Sequence, residues 1–97
     1  MSKMAKVLKV TRVVDGEVIT DQVDLEINGE KFSFKKVDNI ECAENFLYTD
    51  EKGWVQDNQL DDSELEEMVV KVINTLQEEG FTEGQEVDID ELEDGFC

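Results

Sequence analysis

Residues 23–34 read VDLEINGEKFSF, two alternating runs joined at Asn28-Gly29. Asn28-Gly29 is the preferred central pair of a two-residue type I′ hairpin, because both positions take positive φ. A loop of that length makes paired residue numbers sum to 57, so the sequence carries its own register. Leu25 then meets Phe32 and Val23 meets Phe34, which gathers apolar groups on one face. Glu26 meets Lys31 and Asp21 meets Lys36, and these opposite charges are assigned to the other face. Each such cross-strand pair contributes roughly 0.2–1 kcal/mol. Turn chemistry, alternation and charge all specify the same hairpin.

Upstream, KVLKVTRVV (residues 6–14) is rich in β-branched residues and stops at the turn pair Asp15-Gly16, which reads as a strand. Its alternation is less clean than that of the hairpin. Downstream, NFLYT (45–49) and GWVQ (53–56) flank Asp50-Glu51-Lys52 and read as a further hairpin. These segments predict an antiparallel sheet of three to five strands with one apolar face. DDSELEEMVVKVINTLQEEG (61–80) supplies a cover for it. Leu65, Met68, Val69, Val72, Ile73 and Leu76 recur at helical spacing and form one stripe. Ser63 with Glu66 fits the S-x-x-E capping box, and Gly80 suits a left-handed stop, so the helix is placed at about 62–79. Asp88 with Glu91 is expected to cap a short second helix ending at Gly95, within a loose acidic tail. The expected class is α+β in one domain: 1–60 mainly β, 61–80 helix, 81–97 tail.

Composition narrows the function. The chain of 97 residues has no histidine, the commonest general base and metal ligand. Ser2, Ser33 and Ser63 lie in no nucleophile-elbow context, and no glycine-rich phosphate loop occurs. A non-enzymatic role without a cofactor is expected. The nearest approach to a calcium loop starts at Asp90, but Leu92 takes its third ligand place and the chain ends before the twelfth. No metal site is expected. Cys42 and Cys97 form neither a zinc cluster nor a disulfide framework; free thiols are expected, with a bridge between them left open. No apolar run is long enough for a membrane span and the N-terminus does not read as a signal peptide, so a soluble cytoplasmic protein is expected.

Charge is the outlying property. Nine basic and 26 acidic residues give a net −17. Residues 1–38 hold seven of each and sum to zero; residues 39–97 hold two basic against 19 acidic and carry the whole −17. Such a chain repels nucleic acid, whose binding rests on Lys and Arg. Asp61, Asp62, Glu64, Glu66 and Glu67 sit where a helix dipole favours anions. Glu78 and Glu79 fall in the last turn, where it disfavours them, so stability does not explain them.

This charge layout resembles the small acidic DNA mimics encoded largely by bacteriophages. The resemblance implies a protein that blocks the DNA-binding surface of a host protein, such as a histone-like HU protein, a nuclease or a restriction enzyme, in the host cytoplasm or nucleoid. The carboxylates expected to meet that partner are, on the helix, Asp61, Asp62, Glu64, Glu67, Glu78 and Glu79. In the tail they are Glu83, Glu86, Asp88, Asp90, Glu91, Glu93 and Asp94. DNA carries one charge per about 1.7 Å, so the helix alone falls short by about twofold; the tail would have to share its side, with Glu41, Glu44, Asp50, Glu51 and Asp57 as additions and a symmetric homodimer as a further extension. The competing expectation is a regulatory adaptor that docks through apolar tail residues, Leu92 and Phe96 above all, among Phe81, Val87 and Ile89. Tyr48 and Trp54 are expected in the core, with an interface role as the alternative.

Overall fold

A computed structural model describes residues 4–39, 42–49 and 51–92. Its elements are β1 (Met4–Asp15), β2 (Val18–Ile27), β3 (Glu30–Asp38), β4 (Ala43–Thr49), β5 (Gly53–Gln56), α1 (Ser63–Glu78) and β6 (Glu86–Asp88). Two 3-10 turns, Asp57–Gln59 and Ile89–Glu91, precede α1 and follow β6. The strands form one antiparallel sheet in the order β5-β4-β3-β2-β1-β6. The first five strands are a plain meander. The chain then crosses one face as α1 and returns to the far edge as β6. The fold is α+β, a six-stranded sheet packed against one helix.

The β2–β3 hairpin has the register its turn dictates. Leu25 pairs with Phe32, Val23 with Phe34, Glu26 with Lys31 and Asp21 with Lys36. Asn28 at φ 52° and Gly29 at φ 84° supply the two left-handed positions. One assignment is corrected. Asp21 and Lys36 belong to the apolar face, because Asp21 is two residues from Val23 and side chains alternate with period two. The apolar face is therefore apolar over only part of its length. Its other end is polar, with Arg12 Nε 3.5 Å from Asp21 Oδ1, Lys36 Nζ 3.4 Å from Asp38 Oδ2, and Asn45 Nδ2 donating to Asp57 Oδ2 at 3.4 Å.

The uneven alternation of β1 has a cause. A bulge between Val7 and Lys9 reverses the facing of the strand, so Ala5 and Val7 point into the core before it and Val10 after it. The turn that follows is centred on Gly16-Glu17, one residue later than expected, since Asp15 pairs with Val18.

α1 packs its expected stripe on β3 and β4. Met68, Val69, Val72 and Ile73 are buried among Val23, Leu25, Phe34 and Leu47, with Leu65 and Leu76 against them. Its N-cap is Asp62, whose Oδ1 accepts from the Glu64 N–H at 2.9 Å. This replaces the expected Ser63 cap; either type can serve, and Asp62 is the residue with the extended backbone a cap needs. Gly80, at φ 74°, ends the helix, and its N–H donates to the Thr75 carbonyl at 2.9 Å.

The sequence leaves the order of the acidic tail open, and the structure decides it over residues 81–92. Glu86–Asp88 form a sixth strand on β1, and Ile89 is buried in the core with Phe81, Val87 and Leu92 packed against it. The expected second helix is a single 3-10 turn ending at Glu91, with Asp88 Oδ1 accepting from the Asp90 N–H at 3.0 Å as the cap. Gly95, its expected end, lies outside the described residues. No helix among the described residues is long and apolar enough to cross a membrane.

Candidate functional site

The carboxylates proposed from sequence divide into three groups by position. At the N-terminal end of α1, Asp61, Asp62, Glu64 and Glu67 are all exposed, as is Glu66, which was not among them. Asp62 is the cap, and Glu67 Oε1 lies 3.2 Å from Lys71 Nζ. At the other end, Glu78 and Glu79 meet Glu91 around a recess of about 220 Å³ that Asn74, Thr75 and Leu92 complete. Exposed Asp90 stands beside Glu91. The outer surface between the two ends carries Val70, Lys71, Asn74 and Gln77 and is not acidic. From Glu67 to Glu78 is 11 residues, about 16 Å of helix. The expected strip is therefore two acidic lobes on either side of a neutral saddle.

The third group faces elsewhere. Glu83 Oε2 accepts the Val10 N–H at 3.2 Å along the outer edge of β1. Glu86 pairs with Lys6, and Asp88 with Met4, which puts both on the sheet face that α1 leaves open. Glu44 lies on that face as well, opposite Val37. Glu51 is at the β4–β5 turn, and Asp57, in the 3-10 turn that packs against α1, accepts from Asn45. Glu41, Asp50, Glu93 and Asp94 lie outside the described residues.

The open face has its own order. Across β6, β1, β2 and β3, Glu86, Lys6, Glu26 and Lys31 form a row of alternating charge. The next row runs Lys9, Asp24, Ser33, Tyr48 and Trp54. Over this face, four lysines (6, 9, 31 and 35) stand against six carboxylates (15, 24, 26, 44, 86 and 88), a net −2. The helix and its flanks set nine carboxylates (61, 62, 64, 66, 67, 78, 79, 90 and 91) against Lys71, a net −8, and the polar end of the same side adds Arg12 and Lys36 against Asp21 and Asp38, which cancel. The excess charge is concentrated on one side of the molecule.

Sequence reading missed a cluster on the open face. Lys35 Nζ stands 4.2 Å from the centroid of the Trp54 ring and 5.0 Å from that of Phe46, within cation–π range. Tyr48 meets Trp54 edge-on at 5.3 Å. Trp54 is 38% and Tyr48 37% exposed, which corrects their expected place in the core. The signal was available: Leu47 and Val55 take the core side, so period two sends their neighbours outward.

Between the N-terminal end of α1 and the sheet lies a cleft of about 670 Å³, floored by Phe32, Leu47, Val55, Leu60 and Leu65. Its rim holds Lys31 and Lys52 with Glu30 and Glu51, a balanced set that selects neither an anionic nor a cationic ligand. Among the described residues no group of three carboxylates or thiols is placed to hold a metal ion. Cys42 is exposed and free, and Cys97 lies outside the described residues. No protein-family model, curated protein or solved structure matches this chain.

Proposed function

We propose that the protein is a non-enzymatic binder of basic, DNA-binding proteins, which it blocks by presenting the carboxylates of its helix side where DNA would lie. The observation that carries this reading is the meeting of Glu78, Glu79 and Glu91 at the C-terminal end of α1. The helix dipole places about half a negative charge there, and among the described residues no lysine or arginine lines the recess. Solvation needs charge anywhere on a surface. It does not need charge where the backbone itself is negative.

Magnitudes support a partial imitation of DNA. The 16 residues of α1 span about 24 Å, over which DNA carries about 14 phosphates. Nine carboxylates lie on this side once Asp90 and Glu91 are counted with the helix and its flanks, roughly two thirds of that density. Two lobes on either side of a neutral saddle suit a partner with two basic patches. The adaptor reading keeps less support, since Phe81, Val87, Ile89 and Leu92 are engaged in the chain's own core; Phe96 lies outside the described residues.

The test is retention of bacterial proteins on the immobilised chain at low salt, followed by elution with duplex DNA. DNA-binding proteins released by the duplex are expected. A variant carrying Asp61→Asn, Glu64→Gln, Glu78→Gln, Glu79→Gln and Glu91→Gln should lose at least 10-fold of that retention. Retention that ignores duplex DNA, or survives in this variant, would sink the reading.

A further inference from the structure

We infer that the outer edge of β1 from Thr11 to Asp15 is a dimerisation edge, on which a second copy of the chain pairs its own β1 antiparallel about Val13.

The sheet has two edges, and they are treated differently. β5 is four residues long and passes at once into a 3-10 turn, one of the ways proteins blunt an edge. β1 is twelve residues long, and β6 covers only Met4–Lys6. The cover then continues in single bonds: Val7 N–H donates to the Gln85 carbonyl at 2.8 Å, Gly84 N–H to the Val7 carbonyl at 2.8 Å, and Val10 N–H to Glu83 Oε2 at 3.2 Å. There it stops. Among the described residues nothing pairs with the outer edge of Thr11–Asp15.

That stretch is also apolar where it need not be. Val13 is 52% and Val14 63% exposed, and Val18 across the turn is 37% exposed. Natural edges of this length carry lysine, proline or a bulge against aggregation. Here the bulge lies at the other end of the strand, and the chain has no proline. Arg12 is the one cation of the stretch, and it leans inward to Asp21 at 3.5 Å.

Backbone parity fixes which groups are free. Val10 turns its N–H outward to Glu83, so Arg12 and Val14 present theirs to the same side. Three symmetric registers centre on the middle of this stretch, residues 12–14. Centring on Arg12 stacks two guanidinium groups, and centring on Val14 sets Val13 against Asp15 of the second copy. Centring on Val13 makes paired numbers sum to 26. Arg12 and Val14 of opposite copies then exchange backbone hydrogen bonds, Thr11 meets Asp15, and Lys9 approaches Glu17. Opposite charges and a hydroxyl–carboxylate pair flank a valine centre. The sequence KVTRVVDGE, residues 9–17, is self-complementary when reversed, and this points to a second copy rather than an unrelated strand.

The inference stands apart from the proposed function, and its salt dependence is opposite. Each copy carries −17, so added salt screens the repulsion and favours the dimer, whereas it weakens a complex with a basic protein.

Sedimentation equilibrium in low salt and in 0.5 M NaCl reads the mass, which should rise toward twice that of one chain in high salt. Val14→Pro removes only an outward N–H, so it should abolish the rise while leaving the circular dichroism spectrum unchanged. Val14→Lys serves the same purpose if proline disturbs the fold. In a Cys42→Ser, Cys97→Ser background, Val13→Cys should form an intermolecular disulfide on oxidation. A non-hydrogen-bonded antiparallel pair holds its Cα atoms about 4.5 Å apart, within disulfide range. Thr11→Cys should not crosslink, being about 13 Å from its own copy along the strand. A mass that stays monomeric in high salt, or equal crosslinking of the two cysteine variants, overturns the inference. So does a Val14→Pro variant that leaves the chain monomeric as before but weakens its hold on a basic protein, which would give the edge to that partner.

Discussion

The two broad surfaces of this molecule handle charge in opposite ways. On the open sheet face, Glu86, Lys6, Glu26 and Lys31 alternate across four strands, so each charge has an opposite neighbour. On the helix and its flanks, Lys71 stands among nine carboxylates, and it is bound to Glu67. Cross-strand pairing contributes a little stability for each pair. Crowded carboxylates around the negative end of a helix remove some. Both surfaces rest on one core, so the contrast separates charges that serve the fold from charges the fold merely tolerates.

The most severe way to break the contrast is to remove the shared frame. Phe34 is fully buried in a central strand beneath α1. Phe34→Ala should cost about 3–5 kcal/mol in denaturant unfolding. Both surfaces should be lost in one transition; separate transitions would mean that they do not share a frame.

Within the helix side, the capping carboxylate should behave unlike its neighbours. Asp62→Ala should cost about 1 kcal/mol, while Ser63→Ala should cost no more than a few tenths. Equal losses in urea midpoints would restore Ser63 as a partner in the cap.

Salt acts on the unbalanced side. Raising NaCl from about 20 mM to 0.5 M should lift the melting temperature by a few degrees, because screening relieves repulsion among exposed carboxylates. A triple variant, Glu78→Gln, Glu79→Gln and Glu91→Gln, should flatten that response, whereas Glu26→Gln should leave it in place. A salt-independent wild type would mean that the charges do not crowd one side.

The smallest effects make the sharpest comparison, because they differ in sign. Glu78→Gln should stabilise the chain by about 0.3–1 kcal/mol, since it removes an anion from the wrong end of a helix. Glu26→Gln should destabilise it by about 0.2–1 kcal/mol, since it breaks the row with Lys6 and Lys31. Chemical denaturation of the two single variants side by side reads both.

Legibility followed the range of the interaction. The β2–β3 register was fixed by Asn28-Gly29, a rule that needs four residues. The stripe of α1 was equally local, because helical spacing needs no knowledge of what the helix covers. The bulge in β1 could not be read, because it exists only relative to a partner strand. Residues 86–88 gave no strand signal either: three residues are too few to alternate, and their reason to pair is the open edge of β1. Of the candidate site, residue types and total charge were legible. The grouping of Glu91 with Glu78 and Glu79, and the diversion of Glu83 and Glu86 to β1, were not.

By itself the sequence determined the hairpins, the helix, the apolar stripe and a net −17, because turn geometry and side-chain periodicity act between near neighbours. Only the tertiary structure decided that an expected tail becomes an edge strand with a buried Ile89, that Trp54 and Tyr48 face outward, and that the acids fall into two lobes. Those outcomes depend on which distant backbone groups need hydrogen-bond partners and which apolar surface needs a cover. Both needs are set by where the rest of the chain already lies.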